Sequence, residues 1–190
     1  MPTTNSDNTL PNTPHQQPLG VLPSTPRPLR NMKLLFVCLG NICRSPAAEN
    51  IMNHLAAEAG ISSQIECDSA GTANYHRGNP PDRRMQAAAT NRNIPMVGSA
   101  RQFTKSDFTA FDLILAMDRE NYANILAIDP QGQYRDKVKL MCDFATQHPD
   151  REVPDPYYGG VEGFDYVIDL LIDACGGLLA HLKSTDLKDN

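Results

Sequence analysis

Leu34-Leu35-Phe36-Val37-Cys38-Leu39-Gly40-Asn41-Ile42-Cys43-Arg44-Ser45-Pro46 decides the fold and most of the chemistry of this 190-residue chain. Its four leading apolar residues read as a buried strand, and the residues from Pro46 onward read as a helix. Strand, tight loop and helix N-terminus make a phosphate-binding geometry, because free backbone N–H groups and the positive end of the helix dipole converge there. A cysteine at the floor of such a loop turns binding into chemistry. The field that draws a phosphate also favours a thiolate, and a thiolate facing a bound phosphoryl group is a nucleophile in place.

The loop residues divide the work. Cys38 is the candidate nucleophile: most free cysteines are small buried hydrophobes, but this one ends a strand and precedes a Gly-containing loop and a helix. The phosphate-binding loop is Leu39, Gly40, Asn41, Ile42, Cys43, Arg44 and Ser45. Arg44 offers a planar fork that gives two parallel hydrogen bonds to two phosphoryl oxygens. A cation opposes the dipole at a helix start, so an anionic partner accounts for it. Ser45 is positioned to cap the helix, with Pro46 at its first position, and to donate to the Cys38 sulfur. Gly40 and Asn41 tolerate the backbone angles that a phosphate-wrapping loop requires. Cys43 either forms a reversible disulfide that shields Cys38 from over-oxidation or is a small loop residue.

Upstream of the loop, residues 1–31 hold seven prolines among Thr, Asn and Gln, and read as a disordered tail with two Pro-x-x-Pro motifs. Met32 is an alternative translation start. Downstream, helix and strand patterns alternate. A helix over Ala47–Ala59 ends at Gly60, and Gln64–Ser69 is a second strand. A helix follows Pro80-Pro81-Asp82, Leu113–Met117 is a third strand, and Glu120–Ile128 a short helix. Val138–Met141 is a weaker fourth strand. Val161–Lys183 keeps an apolar i, i+3, i+4, i+7 stripe as the final helix. The expected fold is α/β, a single domain over residues 32–185 with a central four-stranded parallel sheet and helices on both faces, and a short tail at 186–190. Ligands of such sheets bind beyond the carboxyl ends of the strands, where the cysteine loop lies.

Bulk properties narrow the classes. A net charge of −5 sets up no basic field for nucleic acid or anionic membrane. No apolar run is long enough to span a bilayer. Five scattered cysteines without a CxxC pair argue against a disulfide framework or a zinc site and for a reducing cytoplasm. Cys67, Cys142 and Cys175 read as packing residues.

A second constellation is Val153-Pro154-Asp155-Pro156-Tyr157-Tyr158, on a stiff loop before the final helix. A thiolate that removes a phosphoryl group needs an acid for the departing oxygen and then a base for the attacking water, and one carboxyl group can serve as both. From these residues alone Asp155 is equally a turn former. Tyr157 and Tyr158 either wall a slot for a flat aromatic substrate or pack as core. Asp118, at the end of the third strand, either orients Arg44 or caps the next helix, with the structural role favoured.

With those residues in view, the chain resembles the low-molecular-weight protein tyrosine phosphatases. The resemblance spans about residues 32–183 and rests on Val37–Pro46, Asp68-Ser69-Ala70-Gly71-Thr72, Ala100-Arg101-Gln102-Phe103-Thr104, Asp107-Phe108, Phe111-Asp112, Ile114-Leu115, Met117-Asp118 and Val153–Tyr157. It implies four parallel strands with flanking helices, no metal and no cofactor. It implies a phosphocysteine on Cys38, phosphate held by Arg44, and Asp155 as acid and then base. Leu39, Tyr75, Tyr157 and Tyr158 would form the substrate cleft, with Ser69 and Asp118 in support. The expected partner is a phosphotyrosine-containing protein, met by a monomer or weak dimer. One departure stands out. Animal members often carry a His before the Ala-Arg-Gln segment that supports the phosphate loop, and here the position is Gly98.

Three alternatives share these features: a protein-arginine phosphatase, an arsenate reductase, and a non-catalytic phosphate or phosphotyrosine-binding module. Ile42 and the paired tyrosines favour phosphotyrosine over phosphoarginine. The cysteine spacing lacks the relay pair of some arsenate reductases. Keeping both Cys38 and Asp155 argues against binding alone.

Overall fold

A computed structural model of the chain describes residues 31–186. The proline-rich tail and its motifs, and the last four residues, lie outside the described residues. Strand β1 (Met32–Cys38) is the centre of the sheet. It pairs in parallel with β2 (Ile65–Gly71) on one side and β3 (Leu113–Ala116) on the other, and β4 (Val138–Leu140) completes the order β2-β1-β3-β4. The strand order reverses between β1 and β3, which leaves a crevice at the carboxyl end of β1, the position where doubly wound sheets bind ligands.

The central strand explains its own sequence. Leu34, Phe36 and Cys38 face one apolar layer while Leu35 and Val37 face the other, so a continuous apolar run is required where alternation would leave one side wet. On the first face lie α1 (Arg44–Glu58), α2 (Arg83–Thr90) and α5 (Val161–Asp186). On the second lie α3 (Asp107–Ala110) and α4 (Arg119–Ala127), with Phe103, Phe108 and Phe111 packed under them. The α5 stripe is buried as its period predicts, from Phe164 through Leu171 and Cys175 to Leu182, with Ile172 half-buried. Each such aliphatic side chain contributes about 1.5–3 kcal/mol on burial.

The structure corrects several boundaries. Helix α1 begins at Arg44, so Cys43, not Ser45, is the N-cap residue, and it makes no side-chain cap bond. Ser45 lies within the first turn, where its hydroxyl is drawn to the site instead. Pro46 accordingly sits at the third helical position. Ala59 lies beyond the helix and is exposed, and Ala56 takes its place in the core. Gly60 closes the helix at φ +69°, a left-handed angle that suits glycine. Strand β2 runs on through Ala70 and Gly71, because Gly71 continues the register opposite Cys38. The backbone there is crowded: a Cβ at Gly71 would stand 2.7 Å from the Leu39 carbonyl oxygen. The short helix α3 was not expected.

Candidate active site

The end of β1 delivers Cys38 to the floor of the loop, 2% exposed. Its sulfur lies 3.1 Å from the Ser45 hydroxyl and accepts the Asn41 backbone N–H at 3.2 Å. Asn41 takes φ +55°, a left-handed angle open to Asn at modest cost. Its side chain secures the turn: Nδ2 donates to the hydroxyls of Ser45 and Ser69, both at 2.9 Å, and Oδ1 accepts the Arg101 N–H at 2.8 Å.

Arg44 is 3% exposed and held from three sides. Nη1 donates to Asp118 at 2.5 Å and to the Val153 carbonyl at 3.1 Å, and Nη2 to Asp155 at 2.9 Å. Burial works against its charge, and Cys38, Asp155 and Asp118 outweigh that, holding the guanidinium above its ordinary value. Asp118 combines the two roles weighed for it. Its Oδ1 accepts the Asn121 N–H as the cap of α4 while Oδ2 holds Arg44. The Asp155 loop is stitched to the sheet by the Val153 N–H donating to Met117, and Asp155 Oδ1 accepts the Tyr157 N–H at 3.1 Å.

Together these groups line one open cleft of about 130 Å³: the buried Cys38, Ile42 and Arg44 at its base, with the exposed Leu39, Asp155, Tyr75, Tyr157 and Tyr158 at its mouth. All three tyrosines are exposed, so the core alternative for Tyr157 and Tyr158 falls away. Gly40 and Cys43 complete the wall. Burial, reinforced by the negative charges of Asp82, Cys38 and Asp155, pushes the Cys43 thiol up to about 12, so it stays neutral at physiological pH. The same physics raises Cys67 to about 12 and Cys142 to about 11, and lifts Cys175 well above its ordinary value. Cys142 and Cys175 are buried as expected, and Cys67 half-buried.

Two neighbours of the cleft escaped the sequence reading. His76 lines it beside Tyr75, its ring centroid 6.3 Å from that of Tyr157. A Cβ at Gly40 would lie 3.0 Å from the His76 ring, so the ring packs closely over the bare glycine. Arg84 lies over the rings of Tyr157 and Phe164, at 5.3 and 4.5 Å, and donates to the Tyr157 carbonyl at 3.1 Å. The only sequence signal for His76 was its adjacency to Tyr75. Arg84 carried none, because it reaches the site across 73 residues. Among the described residues no group of three or more His, Cys, Asp or Glu side chains is placed to hold a metal ion.

Fold and site thus define a class: an α/β protein whose phosphate-type loop carries a thiol at its floor, a clamped arginine and a carboxyl group at its mouth. Comparison narrows the class. The family model for low molecular weight phosphotyrosine protein phosphatases matches residues 33–188. A putative low molecular weight protein-tyrosine-phosphatase of Synechocystis is 64% identical over 151 residues, covering 80% of this chain and 96% of the relative. The human low molecular weight phosphotyrosine protein phosphatase is 40% identical over 147 residues, covering 77% and 92%. The crystal structure of an Entamoeba histolytica protein tyrosine phosphatase, with Hepes in its active site, superposes with TM-score 0.79 at 47% identity, covering 81% of this chain and 98% of that one. The chain belongs to the low molecular weight phosphotyrosine protein phosphatase family.

Proposed function

We propose that this chain hydrolyses phosphotyrosine on proteins, and small aryl phosphates, through a phosphocysteine intermediate on Cys38. The observation that carries the reading is the junction at Arg44: one buried guanidinium beside the thiol loop bonds Asp155 directly, so nucleophile, phosphate clamp and proton donor share one cleft.

The steps follow from the geometry. An incoming phosphoryl group takes Nη2 of Arg44 from Asp155 and collects the loop N–H groups. The released Asp155 carboxylate takes up a proton from solvent and, as the carboxylic acid, reaches the ester oxygen. The Cys38 thiolate attacks phosphorus, the bond to the tyrosine oxygen breaks, and Asp155 hands its proton to that oxygen. Water then attacks the phosphocysteine, Asp155 takes its proton, and the sulfur–phosphorus bond breaks to release phosphate and the thiolate. The Ser45 hydroxyl and the Asn41 N–H stabilise that departing sulfur. Each step uses this chain's own side chains and water. Tyr75, Tyr157 and Tyr158 suit an aromatic ring on the leaving oxygen.

The nucleophile needs a reducing compartment, which supports a cytoplasmic site of action. No helix of the described residues is long and apolar enough to cross a membrane.

A parallel assay of phosphotyrosine, phosphoserine, phosphoarginine and arsenate tests the reading. Turnover of phosphotyrosine is expected to dominate, and Cys38→Ser to remove it by on the order of a thousand-fold or more while inorganic phosphate still binds. Preference for phosphoarginine or arsenate, or turnover by the serine variant, overturns it.

A further inference from the structure

We infer that Glu49 is a positioning residue for the thiolate, the fixed end of a hydrogen-bond chain that holds Asn41 in the conformation aiming its N–H at Cys38. The inference rests on Cys38 being the nucleophile and names what keeps its loop in shape.

The chain is traced donor by donor. Ser69 has one hydroxyl hydrogen, and it goes to Glu49 Oε2 at 2.6 Å. The Ser69 oxygen is therefore left to accept, and it takes one hydrogen of Asn41 Nδ2. The other Nδ2 hydrogen goes to Ser45. The hydroxyl hydrogen of Ser45 is then free, with two acceptors in reach: the Cys38 sulfur at 3.1 Å and the Ala70 carbonyl at 3.2 Å. A thiolate wins that choice only while Ser45 and Asn41 stay in register. Asn41 holds a left-handed backbone at φ +55°, which persists only where surrounding bonds enforce it. Release of Ser69 removes one of those bonds and loosens the Asn41 N–H that faces the sulfur.

Two further observations single out Glu49. A Cβ built at Gly98 would meet nothing within 4 Å, and no side chain from that position backs the Ser69 hydroxyl. Helix α1 supplies the support instead. Glu49 itself is half-buried, faced by Asp68 and Cys67 of β2 and by Arg101. Burial and Asp68 raise its carboxyl above the ordinary value, while the Ser69 hydroxyl and Arg101 oppose that rise.

The test measures alkylation of Cys38 by iodoacetate against pH, read by peptide mass spectrometry, beside turnover of an aryl phosphate. Positioning and plain electrostatics predict opposite signs. Removing a nearby negative charge favours the thiolate, whereas loosening Asn41 and Ser45 disfavours it. Glu49→Ala is expected to move the alkylation midpoint up by about 0.5 pH unit, which is about three-fold slower reaction on the acid limb. Glu49→Gln, which keeps an acceptor for Ser69, restores most of the wild-type profile. Ser69→Ala reproduces the Glu49→Ala shift, and the double variant adds nothing to either. A midpoint that stays or falls in folded Glu49→Ala overturns the inference, as does additivity in the double variant. Should Glu49→Ala fail to fold, Ser69→Ala decides by the same criterion. Wild-type turnover reports separately on the phosphatase reading, since alkylation needs no substrate.

Discussion

Asp155 meets Arg44 through Nη2 and the Tyr157 N–H through its other oxygen, so in the resting enzyme both its oxygens are already engaged. On the proposed mechanism a substrate phosphate takes that place before the carboxyl group acts. Asp155→Ala is accordingly expected to slow alkyl and poorly activated aryl phosphates by about 10²–10⁴-fold, the range for a positioned acid, and esters with good leaving groups much less. Equal slowing across a leaving-group series removes Asp155 as the acid. His76 makes a different kind of contact, walling the cleft beside the Tyr157 ring. His76→Ala is expected to raise KM for a phosphotyrosine peptide by about two- to ten-fold with kcat little changed, the signature of binding shared by ground and transition states. A kcat loss at constant KM contradicts that role.

Among the elements, helix α5 shows how finely neighbouring residues can differ. Gly176 has open space where a Cβ would go, while a Cβ at Gly177 would collide with the Phe144 carbonyl oxygen. Gly176→Ala is therefore expected to stabilise the chain by about 0.5–1 kcal/mol through helix propensity. Gly177→Ala is expected to destabilise it by about 1–3 kcal/mol, because the helix must move off the 141–144 turn. Urea unfolding of both variants checks the opposite signs. Sequence alone could not separate these adjacent glycines, since the collision comes from a segment 33 residues away in the chain. The strands and helices that set the sheet were legible because their apolar periods are long and unbroken, as in Leu34–Val37 and the α5 stripe. The start of α1 was misread because a Ser followed by Pro mimics a cap, whereas the Ser45 hydroxyl is committed to Cys38, Asn41 and Ala70. Cys38, Arg44 and Asp155 were visible as residue types in a pattern. His76, Arg84 and the Glu49–Ser69 bond were not, because each is a contact made by folding and carries no local signature.

For the molecule as a whole, acid stability turns on carboxylates that the fold holds charged. Asp173 of α5 is the clearest. It accepts the Thr146 hydroxyl and the N–H groups of Thr146, Gln147 and His148, with the His148 ring beside it. Burial opposes its charge, yet these donors hold the carboxyl well below the usual carboxylate range. A folded-state value below the unfolded one means the contribution is complete above the unfolded value and is lost as pH falls toward the folded one. Asp173→Asn should therefore lower Tm clearly at pH 7, with the gap to wild type narrowing below about pH 4. A gap that is constant with pH assigns the effect to lost packing instead. Glu49 acts in the opposite sense: its raised value makes its ionised form a burden on folding that grows as pH rises through the carboxylate range.

The order of strands, β2-β1-β3-β4, has a consequence for synthesis. Cys38 leaves the ribosome among the first residues of the domain, yet the strand that carries it is central and cannot be flanked on both sides until residue 116 has followed. Asp155 comes later still, and α5, which covers α1 and α2, comes last. The nascent chain thus holds a thiol long before it holds an acid, a clamped arginine or a closed cleft. On the proposed mechanism competence waits for that last helix, so a fragment lacking α5 is expected to carry Cys38, Arg44 and Asp155 and yet turn over no aryl phosphate.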